Sequence, residues 1–127
     1  MQPSPELAQK LLDLYAAMGS GNADAVEALY SLEAGSAFTG TSADEFWTDS
    51  RQHNADVRSF FDGTYGRLQV TPSSEPVALV EGTAGWTIDR PTLRLFDGSS
   101  LTTRLTLIWH REDDVWKIVH SHISVGQ

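Results

Sequence analysis

The chemistry open to this chain lies in its histidines, its tryptophans and a few hydroxyl and amide groups. His53 stands with Ser50 and Asn54 inside an apolar frame of Phe46, Trp47, Val57, Phe60 and Phe61. At helical spacing Ser50, Asn54, Val57 and Phe61 fall on one stripe. Polar groups on an inward stripe mark where a lined pocket interrupts a packed core. An imidazole titrates near neutrality and can serve as a general base; the alternative is that His53 points to solvent. His120 and His122 are two residues apart on a strand-like run, hence on one face. With His110 opposite, three imidazoles could approach one ion. Zinc asks for a third or fourth ligand, and no carboxylate is fixed on that face, so no metal and no cofactor is expected. These histidines read instead as hydrogen-bond partners for Ser124, Thr106 or a second subunit, with Arg104 beside them. For Trp47, Trp86 and Trp109, core packing and an aromatic-lined pocket both stay open.

The elements that position these residues follow from caps and periodicity. Ser4-Pro5-Glu6 opens a helix over about 5–18, with Leu7, Leu11, Leu14, Tyr15 and Met18 at helical spacing. Gly19-Ser20-Gly21 ends it, and Asn22 caps a second helix over about 23–31. Ser42-Ala43-Asp44-Glu45 has the form of a capping box, which predicts a third helix over 43–62. Strands follow: one at Leu68–Val70, a long one from Val77 to Ile88, and a short one or an irregular edge at 92–96. A final hairpin, Leu101–His110 and Val115–Val125, turns at Glu112 to Asp114. In its second arm Trp116, Ile118, His120, His122 and Ser124 alternate onto one face, with Lys117, Val119, Ser121, Ile123 and Val125 on the other. Both faces carry large or apolar groups, so this strand is expected to be covered twice.

The 127 residues make one domain, 1–127, with helical signals first and strand signals second. No cysteine is present, which removes disulfides, thiolate metal sites and cysteine nucleophiles. The net charge of −8, from 17 acidic and 9 basic residues, argues against nucleic acid as a partner. No apolar run is long enough to span a membrane, and the first residues lack signal-peptide features. The expected location is cytoplasmic.

Phe38-Thr39-Gly40-Thr41-Ser42-Ala43-Asp44-Glu45-Phe46-Trp47 resembles the segment that opens the third helix in SnoaL-like, or nuclear transport factor 2-like, domains. Trp109-His110-Arg111 and the run from Trp116 to Gly126 resemble the end of the association domain of calcium/calmodulin-dependent protein kinase II. Tyr15 through Tyr30 resembles ketosteroid isomerases of the same superfamily. The resemblance implies an α+β fold in which three N-terminal helices pack on a curled antiparallel sheet, a cystatin-like cone with a pocket inside. By this analogy Leu105, Leu107 and Trp109 face the pocket with Val119, Ser121 and Ile123. Arg104, Thr106, Ile108, Trp116, Ile118, His120 and His122 face away. Leu107 and Ile123 would replace two pocket arginines of the kinase domain, and Tyr15 would match the isomerase tyrosine that donates to a developing oxyanion.

The isomerase base has no counterpart. Gly35-Ser36-Ala37-Phe38 holds no carboxylate, Glu33 comes several residues early, and Leu101–His110 lacks the second acid. Ketosteroid isomerase chemistry is therefore disfavoured. The expectation is a pocket protein for a small apolar molecule, its ligand unknown, lined by Tyr15, Trp47, His53, Leu107, Trp109, Ser121 and Ile123. Whether it is an enzyme of isomerase, dehydratase or cyclase type stays open. It is expected to form a homodimer through the sheet face carrying Trp116, Ile118 and His120. The competing reading is a homo-oligomeric assembly module with a vestigial pocket.

Overall fold

The computed structural model describes residues 1–63 and 68–126. Helix α1 (Pro5–Ser20) starts where its cap requires. The Ser4 hydroxyl accepts the Leu7 N–H at 3.1 Å and Pro5 occupies the first turn. Its buried stripe is Leu7, Leu11, Leu14 and Tyr15. Each leucine so removed from water contributes about 1.5–3 kcal/mol. Helix α2 (Ala23–Leu29) is capped by Asn22, whose side-chain oxygen accepts the Ala25 N–H.

The third helix, α3 (Ser50–Asp62), begins at Ser50, not at 43. Only half of the bonding read as a helix start forms: Ser42 N–H donates to the Glu45 carboxylate at 2.9 Å, but Glu45 N–H donates to the Ser42 backbone carbonyl at 3.0 Å and the Ser42 hydroxyl donates to the Glu45 carboxylate instead of accepting. They close a tight loop between strands β2 (Ala37–Thr39) and β3 (Phe46–Trp47). Phe46 and Trp47 are drawn into pairing with Thr39 and Phe38, and Asp49, a few residues on, accepts from the Arg51 and Gln52 amides as the true cap.

The other strands are β1 (Gln2–Pro3), β4 (Gln69–Thr71), β5 (Val77–Glu81), β6 (Ala84–Asp89), β7 (Thr92–Arg94), β8 (Ser100–Glu112) and β9 (Val115–Val125). Their order is β1-β5-β6-β8-β9-β2-β3, with β7 bonded to β8 and β4 to β7. The fold class is the expected one, α+β with three helices, but β1 precedes α1, and β2 and β3 come between α2 and α3. Two further details differ. The run read as one strand, Val77 to Ile88, is a hairpin. Gly82 adopts φ 62, which lets the chain reverse between Glu81 and Ala84 while the apolar alternation continues on either side. The sheet is also mixed. After α2 the chain returns along the edge of β9 in the same direction, so Tyr30 bridges Ile118 and β2 pairs β9 in parallel.

The β8–β9 hairpin carries the main correction. Its turn is tight, with Glu112 opposite Val115 and positive φ at both Asp113 and Asp114. From there Trp109 pairs with Ile118 but Ile108 pairs with His120, so Val119 is an extra residue at a β-bulge. A bulge breaks strict alternation. Ser121 and Ile123, opposite Leu107 and Leu105, stay on the inner face as expected. Trp116 and Ile118 move to that same face and are buried at 4% and 0% exposure. They belong to the core and cannot form the proposed dimer surface. Ile108, His120 and His122 remain on the outer face.

The core joins α1 to this sheet: Leu7, Leu11, Leu14, Tyr15, Val26, Tyr30, Phe38, Leu107, Trp109, Trp116 and Ile118. Gly85 makes the close approach possible. A Cβ there would lie 2.3 Å from Leu7 Cδ1 and 3.0 Å from the Leu79 carbonyl oxygen. Gly85→Ala is expected to lower stability by about 1–3 kcal/mol through overpacking, read as a lower urea midpoint with an unchanged far-ultraviolet spectrum. A neutral effect would mean that α1 is free to move off the sheet.

Candidate functional site

Residues paired across strands share a sheet face, so the register lays out the inner wall in rows. One row runs Thr87–Leu107–Ser121–Phe38–Trp47, and a second runs Asp89–Leu105–Ile123. Helix α3 faces the first row. His53 is buried at 5% exposure, with Phe38, Tyr30 and Trp47 at centroid distances of 4.4, 4.6 and 5.1 Å. The inward alternative is thus the observed one. Its Nδ1 lies 3.1 Å from the Asn54 side-chain oxygen, and Asn54 is itself buried. Burial holds the His53 pKa below its ordinary 6.5, against smaller opposite effects from Asn54 and Asp56. The imidazole is therefore neutral at neutral pH, as a general base or a hydrogen-bond acceptor must be.

Of the residues selected from sequence, Trp47, Leu107 and Ser121 lie on one row, and His53 packs against its Phe38–Trp47 end from α3. Ile123 lies in the next row and is half-buried. Trp109 is fully buried, and its indole N–H donates to the Thr87 hydroxyl at 3.0 Å, so it backs the wall from within the core. Tyr15 has a different task from the one the resemblance implied. Its hydroxyl donates to Asp89 Oδ2 at 2.9 Å in a buried contact. Desolvation first, then the adjacent Asp89 charge, raises the Tyr15 pKa far above the ordinary phenol range. The phenol stays protonated, and its proton is committed to a carboxylate inside the protein. Asp89 also accepts from the Ser73 backbone N–H and hydroxyl.

Asp89 is the acid that sequence reasoning missed. No acid lies in Leu101–His110, but the neighbouring strand supplies one in the Leu105 row. The signal was present in β6, where Gly85, Thr87 and Asp89 alternate as small and polar residues on the inner face. Tyr30 and Phe38 were missed as well. They enclose His53, and burial pushes the Tyr30 phenol up to about 12. Ser36, just before β2, is a buried hydroxyl with no hydrogen-bond partner among the described residues. His120, by contrast, spends Nδ1 at 2.9 Å from the Ala37 carbonyl, His122 is exposed, and His110 pairs with Lys117 farther along. These three do not converge.

Half-buried apolar side chains, Trp47, Val57, Phe61 and Leu105, pack at the margin of the core. Open clefts lie outside it among the described residues. One of about 500 Å³ adjoins β1 and holds none of the selected residues. Another, about 440 Å³, is edged by Tyr30 and Asn54, two neighbours of His53, and by Glu112 and Lys117. This second cleft borders the surroundings of His53.

In fold this is an NTF2-like, cystatin-like α+β domain. The chain belongs to the family of SnoaL-like domains, whose model matches residues 8–127. Among solved structures it is similar to a Streptomyces avermitilis protein described as a dehydratase of the NTF2-like family, with TM-score 0.84 and 13% identity over 96% of this chain and 94% of that one. It is similar to a Thiobacillus denitrificans protein described as a calcium/calmodulin-dependent protein kinase type II association domain, with TM-score 0.73 and 24% identity over 100% and 98%. It also resembles a cystatin-like protein of unknown function from Nostoc punctiforme, with TM-score 0.77 and 10% identity over 99% and 96%. At these identities the likeness is one of fold. No curated protein matches in sequence.

The state of His53 has a thermodynamic consequence. Its folded pKa lies below the unfolded value of about 6.5, so below pH 6.5 the unfolded chain binds a proton that the native site resists. Stability must then fall as pH drops from 6.5, by at most about 1.4 kcal/mol per pH unit for one proton. Urea midpoints measured from pH 7.5 to 5 should show this decline, and His53→Gln should flatten it. An unchanged slope in the variant would place His53 in water.

Proposed function

We propose that this SnoaL-like domain binds a small, largely apolar molecule against the inner wall between α3 and the Leu107–Ser121–Phe38–Trp47 row. The observation that carries the reading is polar atoms set in an otherwise apolar wall. His53 and Ser121 are buried at 5% and 6% exposure and Asn54 at 9%, among Phe38, Trp47 and Leu107. Buried polar groups normally find partners, and a ligand with one or two polar atoms provides them. The polar end belongs near His53 and Ser121, because the Tyr15 hydroxyl is already bonded to Asp89. Neither Leu107 nor Ile123 offers a cation, so small dicarboxylates have no anchor there. Burying about 200 Å² of an apolar ligand favours binding by about 5 kcal/mol before ordering costs. Neutral His53 could take a proton from a bound substrate, which keeps isomerase or dehydratase chemistry within the proposal.

The test uses 2-naphthol, decanol and succinate as probes in thermal-shift and calorimetric titrations. A ligand that binds the native state raises its stability. 2-Naphthol should stabilise the protein and succinate should not. His53→Phe keeps the aromatic packing but removes the polar partner, and should weaken naphthol binding about tenfold. Tight succinate binding, or naphthol binding indifferent to both His53→Phe and Ser121→Leu, would refute the site.

The second part of the proposal is a homodimer through the outer sheet face. Phe46, Val77, Ile88 and Ile108 are 65%, 43%, 45% and 40% exposed. Register places Ile88 and Ile108 on that face with half-buried Trp86 and His120. Apolar surface of this extent asks for cover. Light scattering at micromolar concentration should return twice the 13.9 kDa chain mass, and Ile108→Glu should return the single mass. A monomeric wild type would end this reading and the assembly-module alternative with it.

A further inference from the structure

Away from the inner wall, three side chains converge where the loop after α2 passes the end of β8. His110 Nδ1 lies 3.9 Å from Glu33 Oε2 and 3.9 Å from Glu112 Oε2. One ligand-type atom from each residue falls within 4.8 Å of both others. We propose that Glu33, His110 and Glu112 form a binding site for a divalent transition-metal ion of the zinc class.

The donor set is one imidazole nitrogen and two carboxylate oxygens. Zinc, nickel and cobalt ions accept such mixed ligands, whereas calcium and magnesium prefer oxygen alone. Bonds of about 2.1 Å in tetrahedral array put ligand atoms roughly 3.4 Å apart. The two 3.9 Å separations from His110 need a contraction of about half an ångström, and the distance between the carboxylates, within 4.8 Å, one of at most about 1.4 Å. Glu33, with its side chain 59% exposed, has the freedom to supply it. A fourth position would face solvent.

Positioning supports the assignment. His110 and Glu112 alternate on β8 and so project from one face of a rigid strand. Ser31 ties the third ligand to them. Its hydroxyl, buried at 1% exposure, donates to Glu112 Oε2 at 2.7 Å and accepts the Glu33 backbone N–H at 3.1 Å. Ser31 N–H is itself anchored to the Ile118 carbonyl at 2.8 Å. One buried hydroxyl therefore orients both carboxylate residues, the role an outer-shell partner plays at a metal centre. Charge points the same way. Among the described residues no lysine or arginine pairs with Glu33 or Glu112. Lys117, the cross-strand partner of His110, gives its ammonium to the Ala28 carbonyl. Two carboxylates held this close repel unless a cation lies between them.

The site meets the cleft beside His53 only at Glu112, and it is tested by zinc chloride titration of chelator-treated protein, followed by calorimetry and thermal shift. Expected are one zinc ion per chain, a rise in melting temperature, and little response to magnesium or calcium. His110→Ala and Glu112→Gln should each lower zinc affinity at least tenfold, as should the surface change Glu33→Gln, which leaves the core untouched. His122→Ala, on the exposed sheet face, should leave binding unchanged. Cobalt substitution should give visible bands that disappear in His110→Ala. Absence of zinc binding, or binding that survives Glu33→Gln with His110→Ala, would overturn the assignment and leave the trio as an imidazole flanked by two carboxylates.

Discussion

The bulge at Val119 is the constraint on which the inside of this domain depends. By adding one residue to β9 it lets both ends of the strand turn bulky or functional groups inward: Trp116 and Ile118 near the turn, Ser121 and Ile123 beyond it. Without that residue a single register would hold throughout. Either Trp116 and Ile118 or Ser121 and Ile123 would then face away from the helices. Trp109 shows what the bulge secures. It is fully buried, faces Ile118 across the strand pair, and has its indole N–H satisfied by Thr87. Leu7 of α1 descends onto the same region above Gly85, where no side chain stands in its way.

Two kinds of buried polarity then divide the interior. The Tyr15–Asp89–Ser73 group is closed: its donors and acceptors answer one another, and it links α1 to the end of β6 and to the segment before β5. A carboxylate buried at 4% exposure is tolerable because several donors surround it. The His53 group is open. The imidazole meets three aromatic rings and one amide oxygen, and burial rather than an ion pair governs its charge. A closed network stabilises a fold, and an open one leaves bonding capacity for something else. Helix α3, which carries His53, is held to α2 by Arg58, whose guanidinium meets Asp24 at 2.5 Å and Glu27 at 3.1 Å. That clamp is largely exposed and contributes little on its own.

Local chemistry was legible wherever it acts locally. Ser4 with Pro5, and Asn22, started helices because a cap needs only its next three residues. The same logic misled at Ser42–Glu45. The Glu45 carboxylate does accept the Ser42 N–H, but whether the chain after it coils or pairs is decided by Phe38 and Thr39, which offer Phe46 and Trp47 a strand edge. Of the candidate wall, Asn54 could be read from the stripe of α3, Leu107 and Ser121 from a resemblance that placed them on one face, whereas the direction of His53 stayed open between pocket and solvent. Asp89 could not be assigned to Tyr15, because a contact across 74 positions leaves no trace in local spacing.

Composition, capping and periodicity by themselves determined an α+β fold class, its three helices, its final hairpin and the absence of cysteine. These properties depend on neighbouring residues or on counts. Tertiary structure alone decided which face each half of β9 presents, that the Val77–Ile88 run folds back on itself, that β2 runs parallel to β9, and which acid meets Tyr15. Each of those outcomes compares the energy of one packed arrangement with another over distant parts of the chain. A shift of one residue exchanges the buried and exposed sets of a strand while leaving its alternating sequence unchanged.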